Sequence, residues 1–511
     1  MPLSMSVQTA APEPAGLSAA TVELATLSAT QATALFAAGK LSPVETTRAV
    51  IDTIGALNPL INAFCWLDTD AALKTAAASE ARWRRGAPLS ALDGITATVK
   101  DLSVTRGWPT RRACLAIPAD RPWEEDSPSV ARMREAGAVL LGKTTVPEFG
   151  ASYVTQSKLC GITRNPWNPA NTPGGSSGGA AASAIAGMGT IALASDAAGS
   201  IRGPAAMTGT FGLKTTFGRV PDYPSSYLGS LAVIGPITRS VEDAWLCMEV
   251  ITRPDARDSY ALTPPAPEAV PGEPSLKGLR VLYSPTLGYA QVEPESAAIV
   301  RAAVARLAAL GAEIDEVDHV MSDPSDTLWT IMAAGVANAF RVFGFTEADM
   351  ALIGPRLVAS AERGRAMSMM EYMAACEKRE QLGARLRALH ETYDLLVMPC
   401  LAVPAIGAEG EEHVDPRYAA IANRAPFNAP FNLTKQPAAS LPVGMTADGM
   451  PVGMQVVGPL DGDRAVMRAC LAYQRAYPFA APDLLALSRQ VPADHVPQGI
   501  QSMLDAITRR S

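Results

Sequence analysis

Apolar and polar positions along the chain alternate between two periods, and the change from one to the other marks out its elements. From Thr21 to Lys40 apolar residues recur at helical spacing, with Ser28 placed to cap a helix whose apolar face holds Ala32, Leu35 and Phe36. Residues 42–64 repeat the pattern, with Ser42 as cap, Pro43 at the first helical position and Glu45 nearby. That helix is expected to end before Pro59, and a third covers Thr69 to Arg85. The period then drops to two: Ile95–Leu102 alternates Thr96, Thr98 and Lys100 with Ala97 and Val99, as a strand does. Residues 106–127 show no period and read as a surface loop, and 127–145 give a helix followed by a strand.

Residues 165–220 break the rhythm. A Pro/Asn/Gly-rich loop leads into a run of small residues, then a strand-like TIALAS, then more glycine turns. Small side chains let backbone segments approach closely, and glycine permits turns that other residues resist. The pattern predicts a turn, a tightly packed helix, a short strand and a second turn, with Ser176, Ser177, Ser195, Asp196, Ser200 and Arg202 as its polar points. Beyond it, Pro236–Ser240 is expected to turn into a helix over 241–251, and 252–275 to form a surface excursion. A strand near 279–287 and a helix–turn–strand over 294–317 follow, without the G-x-G-x-x-G of a dinucleotide site. Residues 325–390 are helical, with Trp329, Met332, Phe340, Phe343 and Phe345 expected in the core. Strands near 394–399 and 451–457, a loop over 405–424 bordering the pocket and a closing helix from about 461 to 477 complete a layered αβ pattern.

Composition narrows the classes. The chain has 511 residues, 48% of them hydrophobic and 18% charged, with a formal net charge of -7. No Lys/Arg stripe marks a nucleic-acid partner, and the runs at Arg82–Arg85 and Arg111–Arg112 read as solvated faces. Seven scattered cysteines without a CxxC pair fit a reduced, cytoplasmic compartment, and the four histidines form no metal-ligand spacing. Neither a signal peptide nor a membrane span is expected, and no metal or cofactor is called for.

Two residues carry alternatives on sequence alone. Lys100 is either a strand-end lysine bonded to a carboxylate such as Asp101, or a buried amine used chemically. Ser200, before IRGPAA, is either a helix cap or a nucleophile on a turn whose backbone N–H groups form an anion nest.

The segment GGSSGG, its small-residue helix, the GS-I-R turn, and GLK and GRV together resemble the amidase signature family of serine hydrolases. TATVKDL, LGKTTVPEFG, ITRNPWNP, IGPITRSVED, NLTKQPAASLPVG and PVGMQVVGP fall in the family's order over most of the chain. The resemblance implies an α/β/α fold: a large mixed twisted central sheet covered by helices on both faces. It also implies one elaborated catalytic domain, with a core over 91–478 and a helical region over 18–90 packed on that core or on a partner protomer, which leaves a homodimer open. Residues 1–17 are expected to be loosely attached, and 479–511 form a tail.

By that resemblance Lys100, Ser176 and Ser200 form a Ser–cisSer–Lys triad, with the cis bond at Gly175–Ser176. Backbone N–H groups of Ala197, Ala198, Gly199 and Ser200 form the oxyanion hole. Gly175, Ser177, Asp196 and Arg202 support the site, and Thr155, Gln156, Tyr227 and Leu228 are candidates for touching substrate. Two departures stand out: Ala198 where the family's D-x-G-G-S turn has glycine, and an uncharged Ser230–Ile234 run where many relatives have an acid. The second favours a neutral, partly apolar substrate. The expected reaction is hydrolysis of linear or aryl carboxamides by water through an acyl-enzyme on Ser200, with esters or carbamates as further substrates. A glutaminase component of a tRNA amidotransferase, a carbamate-specific hydrolase and a noncatalytic binder are the alternatives.

Overall fold

The computed structural model describes residues 17–410, 418, 420–421, 423 and 425–491. The expected loose N-terminus through residue 16, part of the 405–424 loop and the tail from 492 lie outside the described residues. Thirteen strands run in chain order: β1 (Phe64–Leu67), β2 (Thr96–Lys100), β3 (Val139–Thr144), β4 (Gln156–Ser157), β5 (Gly161–Ile162), β6 (Ile191–Asp196) and β7 (Phe211–Lys214) in the first half, then β8 (Val233–Thr238), β9 (Arg280–Tyr283), β10 (Glu313–Glu316), β11 (Leu395–Pro399), β12 (Ala438–Met445) and β13 (Pro451–Val457). Eleven of these form one mixed sheet in the order β1-β3-β2-β6-β8-β7-β12-β13-β11-β9-β10; β4 and β5 make a separate hairpin.

Helices cover both faces of this twisted sheet, the α/β/α architecture of amidase-signature structures. Alternation along β3 shows the division: Leu140 joins the cluster containing Ala97 and Val99 of β2, while Val139 and Leu141 join the opposite one. The first face is packed by the helices Val241–Ile251, Pro294–Ala309 and Asp463–Ala476. The second holds Pro43–Ile61 and the signature helix Gly178–Ile185. Lys100, two residues from Thr98 on β2, shares the second face.

All eight residues of the signature helix are buried. A Cβ on Gly179 would lie 2.5 Å from Thr145 N and 2.6 Å from Ala63 O, and one on Gly178 would collide with Thr155 Oγ1. The small residues let the helix press against the loop ends of β1 and β3. β2 and β6 run parallel, with Val99 opposite Leu193. Their carboxyl ends therefore bring Lys100 beside Ser195 and Asp196.

Sequence expectation and structure part at four places. The second long helix runs through Pro59 to Ile61; Asn62, at φ +56°, ends it, and Asn58 Oδ1 accepts Ala63 N–H. Pro59 removes one donor near the end of the helix, but buried Leu57 and Ile61 keep the last turn packed. The N-terminal region also supplies a strand, β1, antiparallel to β3, so it is part of the sheet and not helices alone. Pro236–Thr238, expected as a turn, is the end of β8. Its ladder with β7 pairs only Thr238 and Ile237, which spares Pro236 the donor it lacks. Trp329, expected in the core, is 47% exposed on a cleft wall. Phe340 is buried, and Phe343 and Phe345 stack half-buried against Phe149.

Gly179→Ala is expected to destabilise the fold by about 1–3 kcal/mol, because the new methyl meets backbone atoms that cannot rotate away. Urea unfolding should show a lower midpoint at unchanged slope; a wild-type midpoint would contradict the tight helix–strand approach.

Candidate active site

At the carboxyl end of β2 the Lys100 side chain is fully buried. Its Nζ lies 2.9 Å from Ser176 Oγ and 2.9 Å from Ser195 O, with no carboxylate in ion-pair contact. A carbonyl can only accept, so one N–H goes to Ser195; the Ser176 hydroxyl can meet the amine as donor or acceptor. Burial lowers Lys100 to about 7, against the opposing pull of the Asp196 charge. Asp101, the carboxylate considered for Lys100, instead lies 3.7 Å from Lys143 and accepts the Ala113 N–H. The Gly175–Ser176 peptide bond is cis. Gly175 is required there, since a Cβ would collide with Ser152 O.

Ser176 and Ser200 both line a cavity of about 60 Å³ with Ala197, Arg112, Phe149, Asp222, Tyr227 and Leu228. The structure joins Lys100 to Ser176 by a hydrogen bond and brings Ser200 to the same cavity; among the described residues no hydrogen bond links Ser176 to Ser200. Ser177 accompanies them, its N–H donating to Ser200 O and its hydroxyl to Ser195 O.

Behind the Ser200 turn lies a buried ion pair. Arg202 Nε and Nη2 each lie 3.0 Å from the Asp196 carboxylate, and both residues are sealed from solvent. Arg202 also donates to Asn428 O, Gln455 Oε1 and Asn432 Oδ1. Desolvation acts to raise the Asp196 carboxyl, but the Arg202 guanidinium, Lys214 and Asn432 prevail and hold it well below the usual range. The same carboxylate accepts the N–H groups of Gly199 and Ile201 on either side of Ser200.

That bond corrects the oxyanion assignment. Gly199 N–H is spent on Asp196 at 2.7 Å and is not free for a substrate oxygen. The backbone N–H groups of Ala197, Ala198 and Ser200 have no such partner among the described residues. Gly199 serves the turn by its conformation: φ is +117°, and a Cβ would collide with Asn428. Ala198 has no positive φ, and its methyl packs with Leu231, Leu328, Ile331 and Leu433. Alanine therefore fits this turn without strain.

The substrate-contact expectations divide. Tyr227 and Leu228 line the cavity, and Tyr227 donates its hydroxyl to Phe149 O at 2.5 Å. Thr155 does not reach it; its hydroxyl donates to Gly174 O and braces the signature loop. Gln156 is exposed on β4, outside the cavity. Arg112, read as a solvated face, is instead in the cavity wall. Tyr153 was missed: its hydroxyl donates to Ala198 O, and its ring lines a second cleft of about 660 Å³ with Leu328, Trp329, Met332, Val336 and Leu357. No local pattern distinguishes Tyr153 or Arg112, because neighbours distant in sequence define both positions.

A family model for amidases matches residues 45–467. The chain belongs to the amidase signature family. It is an enzyme of the serine-based amidase class, acting on amide bonds. An acylamidase of Rhodococcus erythropolis is 33% identical over 470 residues, covering 89% of this chain and 96% of that protein. The amidase-like component of the glutamyl-tRNA(Gln) amidotransferase of Salinispora arenicola (strain CNS-205) is 34% identical, covering 90% and 100%. Among solved structures, a bacterial aryl acylamidase of the family superimposes with TM-score 0.82 at 27% identity, covering 91% of this amidase and 99% of that chain. Among its described residues no helix is long and apolar enough to cross a membrane, and no His/Cys/Asp/Glu group is placed to hold a metal ion.

Arg202→Met would leave Asp196 charged and buried without its partner. A loss of about 3–5 kcal/mol in chemical unfolding is expected, with part of it recovered in Asp196→Asn/Arg202→Met. If the single variant is as stable as wild type, the ion pair does not hold the turn.

Proposed function

We propose that this amidase hydrolyses linear or aryl carboxamides with a partly apolar substituent, through an acyl-enzyme on Ser200. The observation that carries the reading is the buried Lys100 amine, 2.9 Å from Ser176 Oγ at the edge of the cavity Ser200 lines. An amine with a pKa near 7 is largely able to accept a proton at neutral pH, which an exposed lysine near 10.4 is not.

In the proposed cycle Ser200 Oγ attacks the carbonyl carbon and gives its proton to Ser176, whose own proton passes to Lys100. The carbonyl electrons move onto oxygen, which takes hydrogen bonds from backbone N–H groups of Ala197, Ala198 and Ser200. Collapse of the adduct breaks the C–N bond, and the amine leaves with the proton returned through Ser176. Water then attacks the ester by the same relay, releasing the acid and restoring Ser200. Esters and carbamates fit the same steps.

The 660 Å³ cleft supports an apolar substituent. It meets the nucleophile turn through Tyr153, Leu328 and Ala429, the last two packing against Ala198. The similarity to the Salinispora arenicola amidotransferase component favours a second reading, a glutaminase that works within an amidotransferase complex.

A product-resolved screen of anilides, aliphatic amides, esters and glutamine on the purified chain tests both. Aryl or aliphatic amide turnover that disappears in Ser200→Ala supports the first; glutamine turnover alone supports the second. Lys100 must be neutral to act, so kcat/KM for the best amide should rise tenfold per pH unit below about 7 and level off above it. A flat profile from about pH 5.5 to 8.5 would remove Lys100 as the base.

A further inference from the structure

Arg112 has no reason to line the cavity as a structural residue. Its guanidinium faces the space that Ser176, Ala197 and Ser200 also line. Among the described residues it makes no ion pair or side-chain hydrogen bond; its one close contact is the Phe343 ring, 5.5 Å from the guanidinium carbon. Its nearest carboxyls, Asp101 and Asp222, act on it only through space. Asp101 is already engaged with Lys143 and Ala113 N–H, and Asp222 with the Ser226 N–H. Burying a guanidinium without hydrogen-bond partners is costly, so a resident arginine in such a place points to a partner that arrives from outside.

The backbone is committed to presenting it. Arg112 and Ala113 both adopt left-handed conformations, at φ +53° and +54°, and Phe149, whose N–H bonds Arg112 O, stands at φ +52°. Three non-glycine residues in that region cost on the order of 1–2 kcal/mol each. Strain of this kind concentrates at binding and catalytic walls. Arginine offers a planar fork of donors that matches a carboxylate, and the stack on Phe343 fixes its plane.

We propose that Arg112 is a specificity residue that binds a carboxylate on the amide substrate, so that the preferred substrates are monoanionic amides. This rests on the amidase reading above and amends its expectation of a neutral substrate: one end is apolar, the other acidic. Asp222, on the same wall, disfavours a second negative charge. The carboxylate can sit on the acyl side, as in the half-amide of a dicarboxylic acid, or on the amine side, as in an N-acyl amino acid.

The test compares three matched substrates: a half-amide bearing a free carboxylate, its methyl ester, and an N-acyl amino acid. Wild type is expected to favour one of the two acids over the neutral ester by about 10–100-fold in kcat/KM, the range of a charge-assisted hydrogen-bonded pair. In Arg112→Gln that preference should collapse, chiefly through KM, and Arg112→Lys should restore part of it. Glutarate should inhibit wild type competitively and Arg112→Gln weakly, with glutaramide inhibiting neither. Equal turnover of acid and ester by wild type, or a preference that survives in a folded Arg112→Gln, overturns the inference and leaves the amidase reading standing. No turnover of any amide would instead refute that reading.

Discussion

A lysine amine kept away from water, without a carboxylate in contact, is the condition on which this site depends. Its position follows from ordinary sheet construction. β2 and β6 are parallel neighbours, so Lys100 ends its strand where Ser195 ends the next. The signature helix then covers that end, and its small side chains let Ser176 come within hydrogen-bonding distance. Desolvation disfavours the ammonium, and the nearby Asp196 charge only partly offsets it. Had Asp101 paired with Lys100, the amine would be held protonated; the Lys143 contact keeps that carboxylate elsewhere.

The opposite electrostatic choice is made a few ångströms away. Asp196 and Arg202 are both charged and buried, and every polar atom around them is used to make this tolerable: Asn428, Asn432 and Gln455 complete the guanidinium shell. Buried pairs of this kind stabilise little by themselves. Their contribution here is geometric, because the Asp196 carboxylate binds backbone N–H groups on both sides of Ser200 and fixes the turn. The same bonds take Gly199 out of the set able to receive a substrate oxygen.

Two spaces flank that turn. The small polar cavity carries the serines, Arg112 and Asp222; the larger cleft carries Trp329, Met332 and other apolar side chains. Tyr153 and Ala198 form the partition between them, joined by the Tyr153 hydroxyl bond to the Ala198 carbonyl. An amide reaching the nucleophile from such a site has an apolar portion and a polar one, and these meet different walls.

The chain's local patterns were enough to show the capped helices at Ser28 and Ser42, the alternating strand around Lys100 and the packed signature helix, since each depends on neighbours within a few residues. Motif order likewise showed the family and the three residues considered for the relay. Elements that depend on distant partners were misread or missed: β1, which exists through pairing with β3; the β8 strand through Pro236, permitted by where its ladder with β7 ends; and the last helical turn past Pro59. In the site, the sequence could not show that Gly199 N–H is committed to Asp196, that Thr155 braces a loop, or that Arg112 faces a cavity. Residue identity determined which chemistry this protein has available. Burial and long-range contact, which depend on how remote segments pack, decided which amine is desolvated, which donors are already spent and which cation has no partner.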